Sequence, residues 1–174
     1  MNTLITGGAR SGKSAFAESL LANNNDVTYI SSYVIDENDE EMIDRIKRHK
    51  QQRNSNWGLI ESNTTLDAIN TKDILFDCLA IFTSNVLYKY SKDLEKIDGQ
   101  LFDTMLNHLK KEIDKLLDNN ENIIIVTNEV GLSTTPFNHV ERIYRDLLGK
   151  INVYTASRVD NVYFVVCGIP QKIK

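Results

Sequence analysis

The chain has 174 residues, 41% apolar and 25% charged, with a net charge of −4. That length suits one domain with a real core, spanning 1–174, and the acidic balance argues against a broad nucleic-acid surface. No apolar run approaches the roughly 20 residues that span a bilayer. Nor does a basic stretch precede a long apolar one at the start, so a cytoplasmic protein without a signal peptide is expected. Cys78 and Cys167 both fall in apolar runs. They are expected to be buried and reduced, neither bridged nor metal-bound.

In chain order, Thr3–Thr6 predicts a short buried strand. The run Gly7, Gly8, Ala9, Arg10, Ser11, Gly12, Lys13, Ser14 follows. Its GxxxxGK[ST] spacing between a strand and a helix is that of a phosphate-binding loop. The glycines let the backbone curl so that several N–H groups face one anion. Lys13 would reach the β and γ phosphates, and Ser14 would ligate Mg²⁺. Phe16, Leu20 and Leu21 then give one face of a helix, and Val27–Ser31 reads as a second strand.

The segment from Asp39 to Arg53 starts acidic and ends basic, which suits a helix dipole. Met42, Ile43 and Ile46 form its apolar face. Glu41–Arg45 and Asp44–Arg48 stand four apart, so a solvated, self-paired face accounts for the charges. Yet Arg45, Arg48, His49, Lys50 and Arg53 also make a cationic cluster suited to a polyphosphate. On position alone, His49 reads as a structural or surface histidine. The alternative is a nucleophile, a neutral imidazole attacking phosphorus beside those cations.

Ile74–Phe76 and Ile123–Thr127 predict two more strands, and each is followed by an acid able to orient Mg²⁺. Spacing favours Asp77 over Glu129. Asn70-Thr71-Lys72-Asp73 has the wrong order for a guanine-reading NKxD motif and precedes a strand, which argues against a GTPase switch. Leu101, Met105, Leu109, Ile113 and Leu116 mark the longest helix. Val140, Ile143, Tyr144, Leu147 and Ile151 mark the last, and Val162–Cys167 the last strand. His108 and His139 read as helix-surface or capping residues. Apolar strands separated by amphipathic helices predict a three-layer α/β P-loop NTPase fold, with a mostly parallel central sheet and helices on both faces.

Taken together, these motifs resemble the bifunctional adenosylcobinamide kinase / adenosylcobinamide-phosphate guanylyltransferase family of cobalamin assembly. The resemblance covers nearly the whole chain. It rests on ITGGARSGKSAFAE, then His49, Arg53, Trp57 and Glu61. Phe76-Asp77-Cys78-Leu79, Ser84-Asn85-Val86-Leu87, Val126-Thr127-Asn128-Glu129-Val130-Gly131 and Val165 to Pro170 follow in order. The segment Gly131–Pro136 carries more hydroxyls than is usual in the family.

The resemblance implies two reactions: phosphorylation of adenosylcobinamide with ATP or GTP, then transfer of GMP from GTP through a guanylyl-histidine. It places the nucleophile on His49. GTP contacts are implied for Gly7–Ser14, Ser31, Ser32, Tyr33, Lys50, Gln51, Gln52, Arg53, Glu61 and Asp77. Mg²⁺ is implied at Ser14 and Asp77, directly or through water. A RecA-like sheet with one antiparallel strand and a homotrimer are implied as well. The rival readings are a single-activity P-loop kinase and a nucleotide-binding protein without covalent catalysis.

Overall fold

The computed structural model describes residues 1–33, 56–66, 69, 71–92 and 96–174. Among these, seven strands form one sheet: β1 (Thr3–Gly7), β2 (Val27–Ser31), β3 (Gly58–Glu61), β4 (Asp73–Asp77), β5 (Ile123–Val126), β6 (Asn161–Val166) and β7 (Ile169–Lys172). Their order is β3-β2-β4-β5-β1-β6-β7. Every neighbouring pair is parallel except β6–β7. The described helices are α1 (Lys13–Leu20), α2 (Leu79–Ser91), α3 (Gly99–Asp118) and α4 (His139–Arg158).

β2, β4 and β5 are buried along their whole length. A parallel strand covered on both faces has no solvent side, which is why these sequences lack polar alternation. The edge strands β3 and β7 are exposed throughout. Pro170 is tolerated in β7 because an edge strand can forgo one ladder donor.

Connection direction sets the layers. From β1 the chain crosses to β2 in one direction along the sheet. From β4 to β5, and from β5 to β6, it crosses in the other. Right-handed crossovers in opposite directions place α1 on one face and α2, α3 and α4 on the other. The last three pack against one another. On α3, Met105, Leu109, Ile113 and Leu116 lie on the buried face, as their spacing predicts. Asp98 caps α3 by accepting from Leu101 N at 2.8 Å, and Asn138 caps α4 by accepting from Val140 N at 2.8 Å.

Two expectations need correction. The last strand ends at Val166, because Cys167 (φ 51°) and Gly168 (φ 79°) form a two-residue turn into β7. Cys167 is therefore exposed, whereas Cys78 is buried. The strand-like run Val162–Cys167 had concealed a turn residue.

Candidate phosphate-binding and nucleotide site

The parallel strands all end at one edge of the sheet, where ligands of open α/β folds bind. Register puts Glu61 of β3 opposite Ser31 of β2, Ser31 opposite Asp77 of β4, and Asp77 opposite Val126 of β5. The phosphate loop leaves β1 two residues beyond Ile5, which pairs with Val126. Residues from four separate strands thus stand in one row beside the loop. Connections from β1 and its neighbour β5 depart to opposite faces, so the crevice between them lies at the topological switch.

The loop is closely packed. A Cβ on Gly7 would lie 2.5 Å from the Val165 carbonyl oxygen, so only glycine fits there. Gly12 has φ 92°, a conformation glycine adopts without strain. Arg10, at φ 56°, and its neighbours Gly8 and Ala9 are exposed. Helix α1 starts after Gly12, which has no side chain to cap it, and the N-terminus of a helix suits an anion. Lys13 is only 9% exposed and donates from Nζ to the Gly8 carbonyl at 3.0 Å, across the loop. Ser14 is half-buried in the first turn of α1.

Asp77 is buried and accepts from the Tyr29 hydroxyl at 3.1 Å. Next to it, burial pushes the Cys78 thiol up to about 12. The Asp77 carboxylate adds to the rise and the Lys13 ammonium opposes it. The thiol thus senses both charges and stays protonated. Glu129 is differently employed. Its carboxylate accepts from Gly131 N at 2.6 Å in its own turn, and its N–H donates to the Gly7 carbonyl at 3.0 Å.

Ser31, Ser32 and Tyr33 continue from β2. Ser31 and Ser32 are buried. Ser32 Oγ and Ser11 Oγ have no hydrogen-bond partner among the described residues, which is unusual for buried hydroxyls. Asn85 on α2 donates from Nδ2 to the Ser32 carbonyl at 2.8 Å and to the Asn63 carbonyl at 3.1 Å, tying the segment after β2 to the one after β3. From α3, the buried Glu112 accepts from Leu66 N at 2.7 Å, and His108 Nε2 meets the Thr64 carbonyl at 2.6 Å. A carbonyl only accepts, so Nε2 carries the proton and Nδ1 accepts from the Tyr90 hydroxyl at 3.1 Å. His108 is thus a tether, not the surface or capping residue expected from sequence. On the other side of the P-loop, Asn152 of α4 accepts from Thr127 Oγ1 at 2.8 Å and donates to the Asn128 carbonyl at 3.1 Å.

Of the predicted site, Gly7–Ser14, Ser31–Tyr33, Glu61 and Asp77 come together at this edge. His49, Lys50, Gln51, Gln52 and Arg53 lie outside the described residues, as do the helix pattern and ion pairs expected between Asp39 and Arg53. Sequence reasoning gave no part in the site to Asn85, His108, Asn152, Tyr29 or Gly168. Asn85, Asn152, Tyr29 and Gly168 carried a signal only through the resemblance, among whose residues they stand. One recess adjoins this edge and another lies among α3, α4 and the segment after β5. The first, of about 390 Å³, lies between Ile30, Ile60, Glu61 and residues 62–66. The second, of about 780 Å³, lies between Asp98, Phe102, Gly131, Arg145 and Lys150.

The family model described as cobinamide kinase / cobinamide phosphate guanyltransferase matches residues 3–173. The chain belongs to that family. It is 36% identical to the bifunctional adenosylcobalamin biosynthesis protein CobU of Escherichia coli K12, over 100% of both chains. To CobP of Pseudomonas aeruginosa, also described as a bifunctional adenosylcobalamin biosynthesis protein, it is 33% identical over 100% of this chain and 98% of the other. Solved structures add the fold. An ATPase of a bacterial type III secretion system superposes with a TM-score of 0.51 at 10% identity, over 98% of this chain and 56% of that one. A Pyrococcus horikoshii OT3 protein gives 0.50 at 6% identity, over 99% and 85%. In this cobinamide kinase / guanyltransferase chain, the three-layer P-loop architecture expected from sequence is the one observed, with β7 as the antiparallel strand. No described helix is long and apolar enough to cross a membrane.

Proposed function

We propose that this chain phosphorylates adenosylcobinamide with ATP or GTP and then guanylylates the product, giving adenosylcobinamide-GDP. Its full-length membership of a family described by both activities supports this reading most directly. The physical logic is that one phosphate cradle serves two attacks. Gly7–Ser14 holds the β and γ phosphates, and Lys13 neutralises charge on whichever group departs.

In the first reaction, the substrate hydroxyl oxygen attacks Pγ, the bond from Pγ to the β-phosphate breaks, and the nucleoside diphosphate leaves. In the second, a ring nitrogen of His49 attacks Pα of GTP and pyrophosphate leaves. A phosphate oxygen of the corrinoid then attacks the same phosphorus, the P–N bond breaks, and His49 is regenerated. An ordinary imidazole pKa of ~6.5 leaves the ring neutral near pH 7. Ser31, Ser32, Tyr33, Glu61 and Lys50–Arg53 are assigned to the nucleoside. The unpartnered Ser32 hydroxyl fits such a polar ligand.

The Ser14 hydroxyl and Asp77 carboxylate are hard oxygen donors of the kind Mg²⁺ takes together with substrate phosphates. Bound there, directly or through water, Mg²⁺ would offset phosphate charge. Both activities are assigned to a single domain, working in the cytoplasm as a homotrimer.

The test is incubation with Mg²⁺ and GTP labelled at the α-phosphate, followed by denaturation, for wild type and His49→Ala side by side. Acid-labile label on wild type alone is the expected result. An unlabelled wild-type chain that still binds GTP and phosphorylates adenosylcobinamide would replace this reading with a single-activity kinase.

A further inference from the structure

The β6–β7 hairpin is built against the phosphate loop. Val165 of β6 pairs with Gly7, and its carbonyl oxygen occupies the space a Gly7 side chain would need. Beyond Val166 the chain turns through Cys167 and Gly168, both at positive φ, as in the two-residue turns that suit twisted hairpins. The turn brings Gly168 N within 2.8 Å of the Ser11 carbonyl oxygen. It also brings Gly168 Cα to 3.0 Å from where a Cβ on Gly12 would stand. The loop and the turn touch backbone to backbone, through glycine on both sides.

That contact fixes a direction. In a planar trans peptide, the carbonyl of one residue and the N–H of the next point opposite ways. With the Ser11 carbonyl held by Gly168, the Gly12 N–H points away from the hairpin. We propose that Gly168 is a positioning residue for nucleotide binding: its N–H holds the Ser11 carbonyl outward and so aims the Gly12 N–H at the bound phosphates. Nests of backbone N–H groups bind anions only when each is oriented beforehand, and Gly12 cannot supply that orientation, because glycine is the least constrained residue. The hairpin supplies it. This inference rests on reading Gly7–Ser14 as the phosphate cradle.

Cys167 makes the direct experiment practical. The peptide Cys167–Lys174 can be joined through its cysteine to a thioester of residues 1–166, in denaturant, and the full chain refolded. One version carries glycolic acid at position 168, which turns the amide into an ester, deletes that N–H and weakens the Cys167 carbonyl as an acceptor. The other carries the natural glycine. Glycine in 1–166 is labelled with ¹⁵N, so the Gly12 amide can be followed.

In the all-amide chain, GTP should bind and shift the Gly12 amide resonance. In the ester chain, affinity should fall roughly tenfold, the scale of one backbone hydrogen bond, and the Gly12 shift should shrink. Both are to be measured well below the unfolding temperature of either chain. Equal affinity in the two chains overturns the proposal. So does weaker binding with an unchanged Gly12 shift, because the hairpin would then act by another route. An all-amide chain that binds GTP without moving the resonance of Gly7, Gly8 or Gly12 would instead refute the cradle itself, and the inference would fall with it.

Discussion

Lys13 holds a nearly buried ammonium against the Gly8 carbonyl, so its charge is desolvated and oriented before phosphate arrives. Replacing it by alanine removes charge from the phosphates shared by both reactions. Lys13→Ala should lower kcat/KM at least 100-fold for phosphorylation and for guanylyl transfer alike, while thermal unfolding stays within a few degrees of wild type. A variant that lost only one activity would contradict a shared cradle. Cys78, one residue beyond Asp77, has a different consequence. Its ordinary value of 9.0 is raised by burial to about 12, and Tyr144 rises from 10.0 to about 12, mainly by burial and then by the nearby Cys78. Both hold protons more tightly when folded. Their contribution to stability is therefore whole below pH 9 and drains as pH rises toward 12, for Cys78 by up to about 1.4 kcal/mol per pH unit. Urea midpoints of Cys78→Ala should decline less steeply than wild type between pH 9 and 11; parallel declines would refute the assignment. In the native protein at pH 8.5, iodoacetamide should modify Cys167 and leave Cys78 untouched.

Elements, more than single residues, shape the nucleoside side of the site. Residues 32–33 after β2 and 62–66 after β3 carry no helix or strand, and α2 and α3 hold them through Asn85, His108 and Glu112. Asn85→Asp keeps the shape but faces two carbonyls with a group that cannot donate. It should raise KM for GTP about three- to tenfold, with kcat for phosphorylation little changed; equal KM in a steady-state assay would show that the bridge does not set the site. Those tethers were not legible in the sequence. Helix α3 was readable from its apolar period, but His108 and Glu112 stand among its polar positions, where a tether and a solvated side chain look alike. The phosphate loop was legible because its chemistry needs particular residues at adjacent positions. Among the strands, β1, β2, β4, β5 and β6 stood out as apolar runs. β3, with Gly58 and only two aliphatic residues, and β7, with Pro170, did not, since exposed edge strands lack the burial that writes such a pattern. Helix α2 was passed over because the segment after Asp77 is too apolar on every side for one stripe to show.

At the scale of the whole molecule, the segment after β5 and the start of α4 expose Leu132, Phe137 and Val140, apolar side chains of the kind a subunit interface covers. Sedimentation equilibrium is expected to give about 59 kDa, three chains of 19.8 kDa; a single-chain mass would remove the trimer from the proposal. The order of the strands carries a further consequence. β1 forms no pair with β2, its successor in the chain. Its partners are β5 and β6, more than a hundred residues downstream. During synthesis, then, the phosphate loop leaves the ribosome as a strand without neighbours and waits for more than a hundred further residues before either flank exists. The turn that braces it arrives later still. Nascent chains arrested before β6 emerges should be unable to retain GTP, although every residue of the loop is already outside. The loop becomes a nucleotide binder only after those later strands are made, which puts a premium on whatever shields that early strand in the meantime.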